Sequence, residues 1–368
     1  MIKLSKSSIG SEEKEAVLQV LDNEYLGMGP KVEEFEQGLT KFFGRKSTAV
    51  VNGTAALQLA LEACKFKKGS EVLVPSLTYV ASFQAISAAG LVPVACDIEE
   101  EHFLLDIGDA KKRISEKTVA IMPVHYTGGV GEIDKLYEFA NFYKLRVIED
   151  AAHAFGSKHD GRRIGSFGDI VCFSFDGIKN ITSGEGGCVV TSDEQVTKYV
   201  QDARLLGVVK DTQNRYGNKR SWDFEVDMQG WRYHMSNLMA AIGVEQLKKS
   251  ERIFKTRQKI ANLYDSLLKD FPGVTILKRD YKNIVPHIYV IKIEGLNDRG
   301  ALQSSFLDKG IEVGYHYKPN HHLGFFSKQK LKLPITDEVH KELITLPLHC
   351  DLSESDVKNI CEVLKSLI

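Results

Sequence analysis

Short apolar runs alternate with amphipathic stretches along the first half of the chain. Each run is rich in β-branched residues, which predicts a strand, whereas apolar positions three and four residues apart in the intervening segments predict helices. The predicted strands cover residues 48–52, 71–75, 92–97, 119–125, 146–150, 170–175 and 186–191. Because strands and helices alternate, we expect an α/β fold whose mostly parallel sheet is covered by helices on both faces.

A smaller second domain is expected in the last third of the chain. The helical pattern over residues 236–271 is longer than a typical globular helix and predicts a break near residues 248–250. Beyond the break lie the strand-like segments TILK and HIYVIKI and the helical segment ESDVKNICEVLKSLI. We therefore predict a large domain in residues 1–248 and a small C-terminal α+β domain in residues 249–368.

Composition and charge narrow the class of protein. Of the 368 residues, 43% are hydrophobic and 26% are charged, which is ordinary for a folded soluble domain. The formal net charge of −1 provides no general attraction to nucleic acid or to an anionic membrane. The start of the sequence has no apolar leader-like segment, and no run of about 18 apolar residues occurs, so we expect a cytoplasmic protein without a membrane span.

The six cysteines are expected to be buried free thiols. They form no CxxC pair, and several lie in apolar runs such as VACD and IVCFSF. A disulfide or a metal site is therefore not predicted. The adjacent His321 and His322 suggest a metal, but the sequence offers no third ligand at a suitable spacing, so a surface position explains them equally well.

The stretch AVVNGTAALQLAL is the first candidate for chemistry. A strand ends at Asn52, Gly53 allows a tight turn, and a helix begins at Thr54 or Ala55. The N–H groups and the positive dipole end of a helix suit a phosphate. An ordinary Asn-Gly turn with an N-cap explains the same residues, so both interpretations remain open.

The second candidate is VIEDAAHAFGS, in which an apolar strand runs into acidic residues. The carboxyl ends of parallel strands face the ligand crevice, and a carboxylate buried there without a cation would be costly. Asp150 is therefore predicted to face a cationic group, with His153 beside it if a helical turn follows. The alternative is a helix-capping aspartate followed by a structural histidine.

The third candidate is FSFDGIKNITSGEGG. A lysine at the exit of a strand in partly apolar surroundings has a lowered pKa, and its neutral amine can react with an aldehyde. Lys179 has this position, Ser174 offers a hydroxyl just before the turn, and the neighbouring glycines let the backbone bend around a ring. The alternative is an exposed loop lysine, which most lysines are.

Together the three stretches match the phosphate, the pyridine nitrogen and the aldehyde of pyridoxal 5′-phosphate (PLP). The same stretches, with PSLTYVAS and MSNLMAAIGVEQL in this order and spacing, resemble the DegT/DnrJ/EryC1/StrS family of sugar aminotransferases. The likeness extends from YLGMGPKVEEFE near the start to GIEVGYHYKP near the end. It implies the aspartate-aminotransferase-like fold of type I PLP enzymes, in which the large domain binds the cofactor.

The resemblance also implies roles for single residues. Lys179 matches the lysine that binds PLP covalently, and Asp150 matches the partner of the pyridinium nitrogen. Tyr79 matches an aromatic residue that stacks on the cofactor, and His153 matches a Gln or His that lies beside its ring. The implied catalytic residues are Lys179, Asp150 and His153, and the implied phosphate site contains Gly53, Thr54, Ala55 and Ser174.

One segment departs from the family pattern. Many members have a GxNxRMS-like segment whose Asn contacts the phosphate of the neighbouring subunit, whereas this sequence reads GWRYHMS. Arg232 replaces the Asn and His234 replaces the Arg. Because a guanidinium brings both charge and a fork of donors, we expect Arg232 to reach the phosphate across a homodimer interface, with a purely structural interface role as the alternative.

The implied reaction is transamination. The resemblance implies L-glutamate as the amino donor and a nucleotide-linked keto sugar as the acceptor, with C4 favoured over C3. Such a reaction belongs to amino-sugar and surface-polysaccharide biosynthesis, including that of O-antigen. The candidate sugar contacts in HYTGG and HYKPNHH are His125, Tyr126, His316 and Tyr317.

Two alternatives to the aminotransferase remain. Some relatives dehydrate the sugar, and in that branch a histidine replaces the lysine, so Lys179 disfavours this activity. The other alternative is a non-catalytic regulator with the PLP fold. The presence of both Lys179 and Asp150 disfavours the regulator as well.

Overall fold

The computed structural model describes residues 1–220, 222–327 and 331–368. Its strands are β1 Ser47–Val50, β2 Glu71–Pro75, β3 Val92–Cys96, β4 Thr118–Ile121, β5 Arg146–Asp150, β6 Lys158–His159, β7 Arg162–Arg163, β8 Ile170–Ser174, β9 Gly187–Thr191, β10 Val274–Ile276, β11 Tyr289–Ile293 and β12 Leu343–Leu346. Its α-helices are α1 Ser11–Asp22, α2 Pro30–Phe43, α3 Gly53–Ala63, α4 Val80–Ala88, α5 Ile107–Arg113, α6 Ile133–Tyr143, α7 Glu194–Ala203, α8 Asp211–Tyr216, α9 Asn237–Lys248, α10 Ser250–Leu268, α11 Arg299–Asp308, α12 Pro334–Glu342 and α13 Glu354–Leu367.

The seven predicted strands form one sheet with the order β1-β9-β8-β5-β4-β2-β3. Strands β3, β2, β4, β5 and β8 pair in parallel, whereas β9 pairs antiparallel with both β8 and β1. The predicted mostly parallel sheet is therefore confirmed. Strand β4 ends at Ile121 instead of at residue 125, because Pro123 has no N–H to donate; its carbonyl accepts the N–H of Asp150.

Helices cover both faces of this sheet. The alternation along β8 shows the division, because Phe173 packs with Phe35 and Leu39 of α2 on one face, whereas Cys172 packs with Leu59 of α3 on the other. Both sets of side chains are almost fully buried. Two buried faces explain why the strands read as continuous apolar runs in the sequence.

The small domain contains the antiparallel sheet β10-β11-β12. Its core includes side chains from β11, β12, α10 and α13. The predicted helix break is confirmed at Lys249, between α9 and α10. Although we included the first residues in the large domain, Ile2 forms a β-bridge to Ile311, and the carbonyl of Leu4 accepts the N–H of Leu348.

The expectations about cysteines and membrane spans can also be compared with the described residues. All six cysteines lie in these residues as free thiols; four are buried, whereas Cys64 and Cys350 are half-buried. None of the helices described is both long and apolar enough to cross a lipid bilayer.

Candidate active site

A cavity of about 430 Å³ lies at the carboxyl ends of β5 and β8, where the two domains meet. This size is typical of a small-molecule site. The large domain lines it with the N-terminus of α3, the loop between β2 and α4, and the segments that follow β5 and β8. The small domain adds His287, His316 and Tyr317. The predicted site residues in its lining are Gly53, Thr54, Tyr79, Asp150, His153, Ser174, Lys179, His316 and Tyr317.

Lys179 lies in the turn after β8, where its N–H donates to the carbonyl of Asp176 at 3.0 Å. Burial lowers the pKa of its amine to about 8, although the charges of Asp150 and Asp176 act in the opposite direction. Its Nζ lies 3.4 Å from Nε2 of His287. Lys179 is therefore a cavity residue with a weakly basic amine, and the alternative of an exposed loop lysine is wrong.

Asp150 is the last residue of β5 and is only 6% exposed. Its Oδ2 accepts the hydroxyl of Ser82 at 2.7 Å, and its Oδ1 accepts the N–H of Ala152 at 3.2 Å. Neither oxygen forms a salt bridge within the described part of the chain. Turns and not a helix follow β5, so the helix-capping alternative is wrong and the carboxylate remains available to a cationic group in the cavity.

His153 is held in one tautomer on the wall of the cavity. Its Nδ1 accepts the N–H of Thr127 at 3.4 Å, so Nε2 carries the proton and donates to the hydroxyl oxygen of Tyr317 at 3.1 Å. The ring centroids of His153 and His287 are 4.4 Å apart, and burial holds the pKa of both imidazoles well below the usual value. Both rings are therefore neutral and offer flat surfaces to a heteroaromatic ligand.

The start of α3 forms the opposite end of the cavity. The side chain of Asn52 caps the helix by accepting the N–H of Ala55 at 2.9 Å. The backbone N–H of Ala55, a predicted phosphate ligand, is therefore already hydrogen-bonded. The N–H groups of Gly53 and Thr54 precede it and have no acceptor within the helix. A Cβ on Gly53 would lie 2.8 Å from Cβ of Ser174, so glycine allows the Ser174 hydroxyl to approach this helix end.

Tyr79 lies at the mouth of the cavity. It is the residue before α4 and is 59% exposed, and its ring centroid is 5.7 Å from that of Tyr317. Burial raises the pKa of the Tyr317 hydroxyl well above its usual value, which keeps it a neutral donor and acceptor. The two rings border the opening through which a ligand would enter.

Two predicted sugar contacts lie outside this cavity. His125 is buried and binds Oε2 of Glu149 at 2.7 Å through Nε2 and the carbonyl of Gly129 at 3.1 Å through Nδ1. Glu149 precedes Asp150 in β5, and successive side chains of a strand point to opposite faces. Tyr126 is also buried, and its hydroxyl donates to the carbonyl of His316. Neither side chain lines this cavity: His125 is bonded to Glu149 and Gly129, and Tyr126 supports His316 from behind, so a direct contact of either with a sugar stays a prediction.

Arg232 is exposed and does not line the cavity of its own chain. It forms an isolated β-bridge with Leu205, and the neighbouring Trp231 donates from Nε1 to Oε2 of Glu62 on α3 at 2.9 Å. Burial, with the charge of Arg232 adding to it, lowers the pKa of His234 to about 4. The segment that departs from the family pattern is thus anchored to α3 while its arginine points to solvent.

Two residues of the site were missed by the sequence analysis: His287 lines the cavity, whereas Ser82 supports Asp150 from outside the lining. His287 begins the apolar segment HIYVIKI, and nothing in that segment indicates proximity to a lysine 108 residues away. Ser82 lies in PSLTYVAS, three residues after Tyr79, and is placed against Asp150 only by the packing of α4. For Ser82 a local signal existed, because the quoted motif already contained a buried polar residue.

The donor set fits PLP. A buried carboxylate without an ion pair suits a protonated ring nitrogen, and a weakly basic amine suits an aldehyde. At the other end of the cavity, the free N–H groups of α3 and the Ser174 hydroxyl suit a phosphate. The neutral rings of His153 and His287 line the same cavity 4.4 Å apart and suit a flat ring.

Comparison with known proteins identifies the family. The model of the DegT/DnrJ/EryC1/StrS aminotransferase family matches residues 7–365. The spore coat polysaccharide biosynthesis protein SpsC of Bacillus subtilis is 33% identical over 98% of this chain and 95% of that protein. The solved structure of Helicobacter pylori PseC, an aminotransferase involved in pseudoaminic acid biosynthesis, has a TM-score of 0.93 at 28% identity and covers 100% of this chain and 99% of that one.

A second solved structure shows the same likeness. The Spr1654 protein of Streptococcus pneumoniae in its PMP form has a TM-score of 0.93 at 28% identity and covers 100% of this chain and 99% of that one. The same protein has also been solved in a PLP form. These likenesses confirm the predicted fold of the type I PLP aminotransferases, and they show that the protein is an enzyme. The chain belongs to the DegT/DnrJ/EryC1/StrS aminotransferase family.

Proposed function

We propose that the protein is a PLP-dependent sugar aminotransferase that moves an amino group from L-glutamate to a nucleotide-linked keto sugar. The observation that carries the proposal is the position of Lys179, whose amine has a pKa of about 8 in the same cavity as the carboxylate of Asp150. The relatives named for polysaccharide and pseudoaminic acid biosynthesis support a sugar as the acceptor.

Different residues of this chain would bind different parts of the cofactor. We assign the covalent attachment of the aldehyde to Lys179 and the pyridinium nitrogen to Asp150. The phosphate would be bound by Gly53, Thr54 and Ser174, with the Ala55 N–H already occupied by Asn52. When bound, PLP supplies an electron sink for the carbanion formed at the α-carbon of the amino donor.

Proton transfer falls to Lys179. After the donor amine has replaced it at the aldehyde carbon of PLP, the released neutral amine of Lys179 would take the proton from the α-carbon of the donor, and the resulting ammonium would deliver that proton to the former aldehyde carbon. A pKa near the operating pH suits both directions, because neither protonation state is strongly favoured. Asp150, oriented by the hydroxyl of Ser82, would hold its carboxylate against the ring nitrogen.

His316 and Tyr317 are the proposed sugar contacts. Both line the cavity on the side of the small domain, opposite the proposed phosphate site. His316 is oriented by a hydrogen bond from its Nδ1 to the hydroxyl of Thr345 at 2.8 Å. Amination at C4 is favoured because the HYTGG segment resembles that of aminotransferases that act on 4-keto sugars. Tyr126 of this segment lies behind His316 and donates to its carbonyl.

A homodimer would complete the site. Arg232 is exposed outside its own cavity, which is the arrangement expected of a residue that serves a neighbouring subunit. Large apolar side chains near the same face are also exposed, namely Leu206, Trp222 and Phe224. We propose that this face contacts a second copy and that Arg232 binds the phosphate there.

The first test follows the absorbance of the bound cofactor in the near-ultraviolet and visible range. Excess L-glutamate should bleach the band of the wild-type protein, and K179A should react at least about 1,000-fold more slowly. Borohydride reduction should fix the cofactor to the peptide that contains Lys179 in the wild type but not in K179A. K255A, which removes an exposed lysine of α10, is the matched control and should behave as wild type.

The second test identifies the acceptor. The glutamate-treated enzyme is mixed with UDP-, dTDP- and GDP-linked sugars that carry a keto group at C3 or C4, and mass spectrometry detects the amino sugar. Formation of an amine at C4 supports the proposal as stated, whereas an amine at C3 corrects the position. Failure of glutamate to change the absorbance, even with added PLP, would overturn the aminotransferase and favour the non-catalytic regulator.

A further inference from the structure

Two adjacent histidines and an aspartate from another segment meet beside the loop that leads to Tyr79. The Nε2 atoms of His321 and His322 lie 2.9 and 2.8 Å from one oxygen, Oδ1 of Asp337. The histidines lie in the 3₁₀ turn Asn320–His322, whereas the aspartate lies on α12. The fold therefore places a third ligand, Asp337, beside the two histidines, although the spacing in the sequence did not reveal it.

These ligand types and distances suit zinc. Two imidazoles and a carboxylate are a common zinc donor set. A tetrahedral ion with bonds of about 2.0–2.1 Å holds its ligand atoms about 3.3 Å apart. All three ligand atoms lie within 4.8 Å of one another, so small side-chain movements would bring them to this spacing.

A third histidine, which is the candidate fourth ligand, lies on the same side of α12 as Asp337. His340 follows Asp337 by three residues, which places the two side chains on one face of the helix. Its Nδ1–H donates to the carbonyl of Thr336 at 2.9 Å, so Nε2 of the neutral ring carries a lone pair. Its ring centroid is 5.1 Å from that of His322. His340 is not in the group of three whose ligand atoms lie within 4.8 Å of one another, so it would complete the coordination after a side-chain movement toward them.

The ligands are oriented by further hydrogen bonds, as the ligands of zinc sites are. Nδ1 of His321 lies 2.7 Å from the hydroxyl of Ser76, and Oδ2 of Asp337 accepts the N–H of Leu333 at 3.1 Å. When His321 loses the proton at Nε2, it can carry a proton at Nδ1 instead. That N–H then donates to the hydroxyl oxygen of Ser76. Ser76 thus permits the tautomer that binds a metal once the ion replaces the proton shared with Asp337.

We propose that these four side chains, which we call the α12 cluster, bind one zinc ion. The α12 cluster consists of His321, His322, Asp337 and His340. Ser76 and Asn320 connect it to the active site, because the side-chain amide of Asn320 donates to the carbonyl of Thr78, next to Tyr79. The zinc fastens α12 to the 3₁₀ turn, and hydrogen bonds to Ser76 and Thr78 join this turn to the loop that carries Tyr79.

The test uses the full-length protein without a polyhistidine tag. Zn²⁺ is titrated in competition with a chromophoric chelator, and we expect one ion per chain. H322A and D337N should each lower the affinity at least about tenfold, and S76A should lower it by about tenfold through the orientation of His321. Zn²⁺ should raise the melting temperature of the wild type but not of H322A. Co²⁺ should give the visible d–d bands of a tetrahedral site at wavelengths longer than those of PLP absorption.

A second histidine-containing group provides the matched control. Asp134, His159 and Asp160 also bring three ligand atoms together, but they include one histidine and two exposed acids. H159A should leave zinc affinity unchanged. The absorbance of bound PLP checks that each variant is folded. Zinc binding that is absent, that is equal in the wild type, H322A and D337N, or that is lost in H159A would overturn the proposal and leave the α12 cluster as a hydrogen-bonded network.

Discussion

At the scale of single residues, burial decides the reactivity of Lys179. An exposed lysine amine has a pKa of about 10.4 and is almost entirely protonated at neutral pH. Burial lowers the pKa of Lys179 to about 8, so about one molecule in ten carries a neutral amine at pH 7. The neutral form is the one that can attack an aldehyde.

We predict that the rate of PLP binding to the cofactor-free protein rises with pH and levels off above a midpoint of about 8. The sign follows from the lowered pKa, because the amine is protonated and unreactive below this midpoint and neutral above it. Stopped-flow absorbance across the pH range measures this rate. A rate that keeps rising to about pH 10, as an exposed lysine would give, contradicts the assignment.

Asp150 and Ser82 lead to a second prediction at this scale. D150N should slow the reaction with glutamate by about 100-fold, because the charge opposite the ring nitrogen is lost. S82A should slow it by about tenfold, since a hydrogen bond to a charged group contributes about 1.5–3 kcal/mol. Single-turnover bleaching of the PLP band gives both rates. The control is S87A on the same helix, and an S82A rate equal to that of S87A would show that Ser82 does not orient Asp150.

At the scale of elements, a buried ion pair fastens α2 to the sheet. Arg204, at the end of α7, is fully buried and donates to Oε1 of Glu36 on α2. Glu36 also accepts the N–H of Ala49 in β1 at 2.7 Å and the hydroxyl of Tyr216 in α8. One carboxylate therefore connects two helices, an edge strand and an arginine.

We predict that E36A lowers the free energy of unfolding by about 3–5 kcal/mol, because it leaves the Arg204 charge buried without its partner. Denaturant unfolding followed by circular dichroism measures the change. E34A is the matched control on the same helix; its carboxylate pairs with Lys31 at the surface, so its loss should cost less than about 1 kcal/mol. Equal losses in the two variants would contradict the role of the buried pair.

Most helices and strands could be predicted from the pattern of apolar and polar residues, and each strand that was missed has a local cause. Strands β2 and β5 were predicted to the residue, since each has a short β-branched apolar centre with charged or turn residues at its ends. Strand β12 was not predicted, because its four residues follow α12 directly and such a short apolar run cannot be distinguished from the end of a helix.

At the scale of the whole molecule, assembly should decide how tightly the cofactor binds. We predict that R232A lowers the affinity for PLP by about tenfold while the dimer persists, because a charged hydrogen bond to the phosphate is lost across the interface. Equilibrium dialysis measures the affinity, and light scattering measures the mass. R252A, on the exposed side of α10, is the control. A fully active monomer, or unchanged affinity in a dimeric R232A, would contradict the shared site.

The sequence by itself determined the sheet, the family, and the residues whose chemistry is tied to strand ends. Asp150 and Ser174 were accessible to it because each ends a strand, and Lys179 because it lies in the turn that follows one; a parallel sheet gathers such ends at one edge. Tertiary structure alone decided that His287 lies beside Lys179, that His125 turns to Glu149 and away from the cavity, and that Asp337 joins the histidine pair. These contacts join segments whose separation along the chain carries no periodic signal, so only the packing of the domains could bring them together.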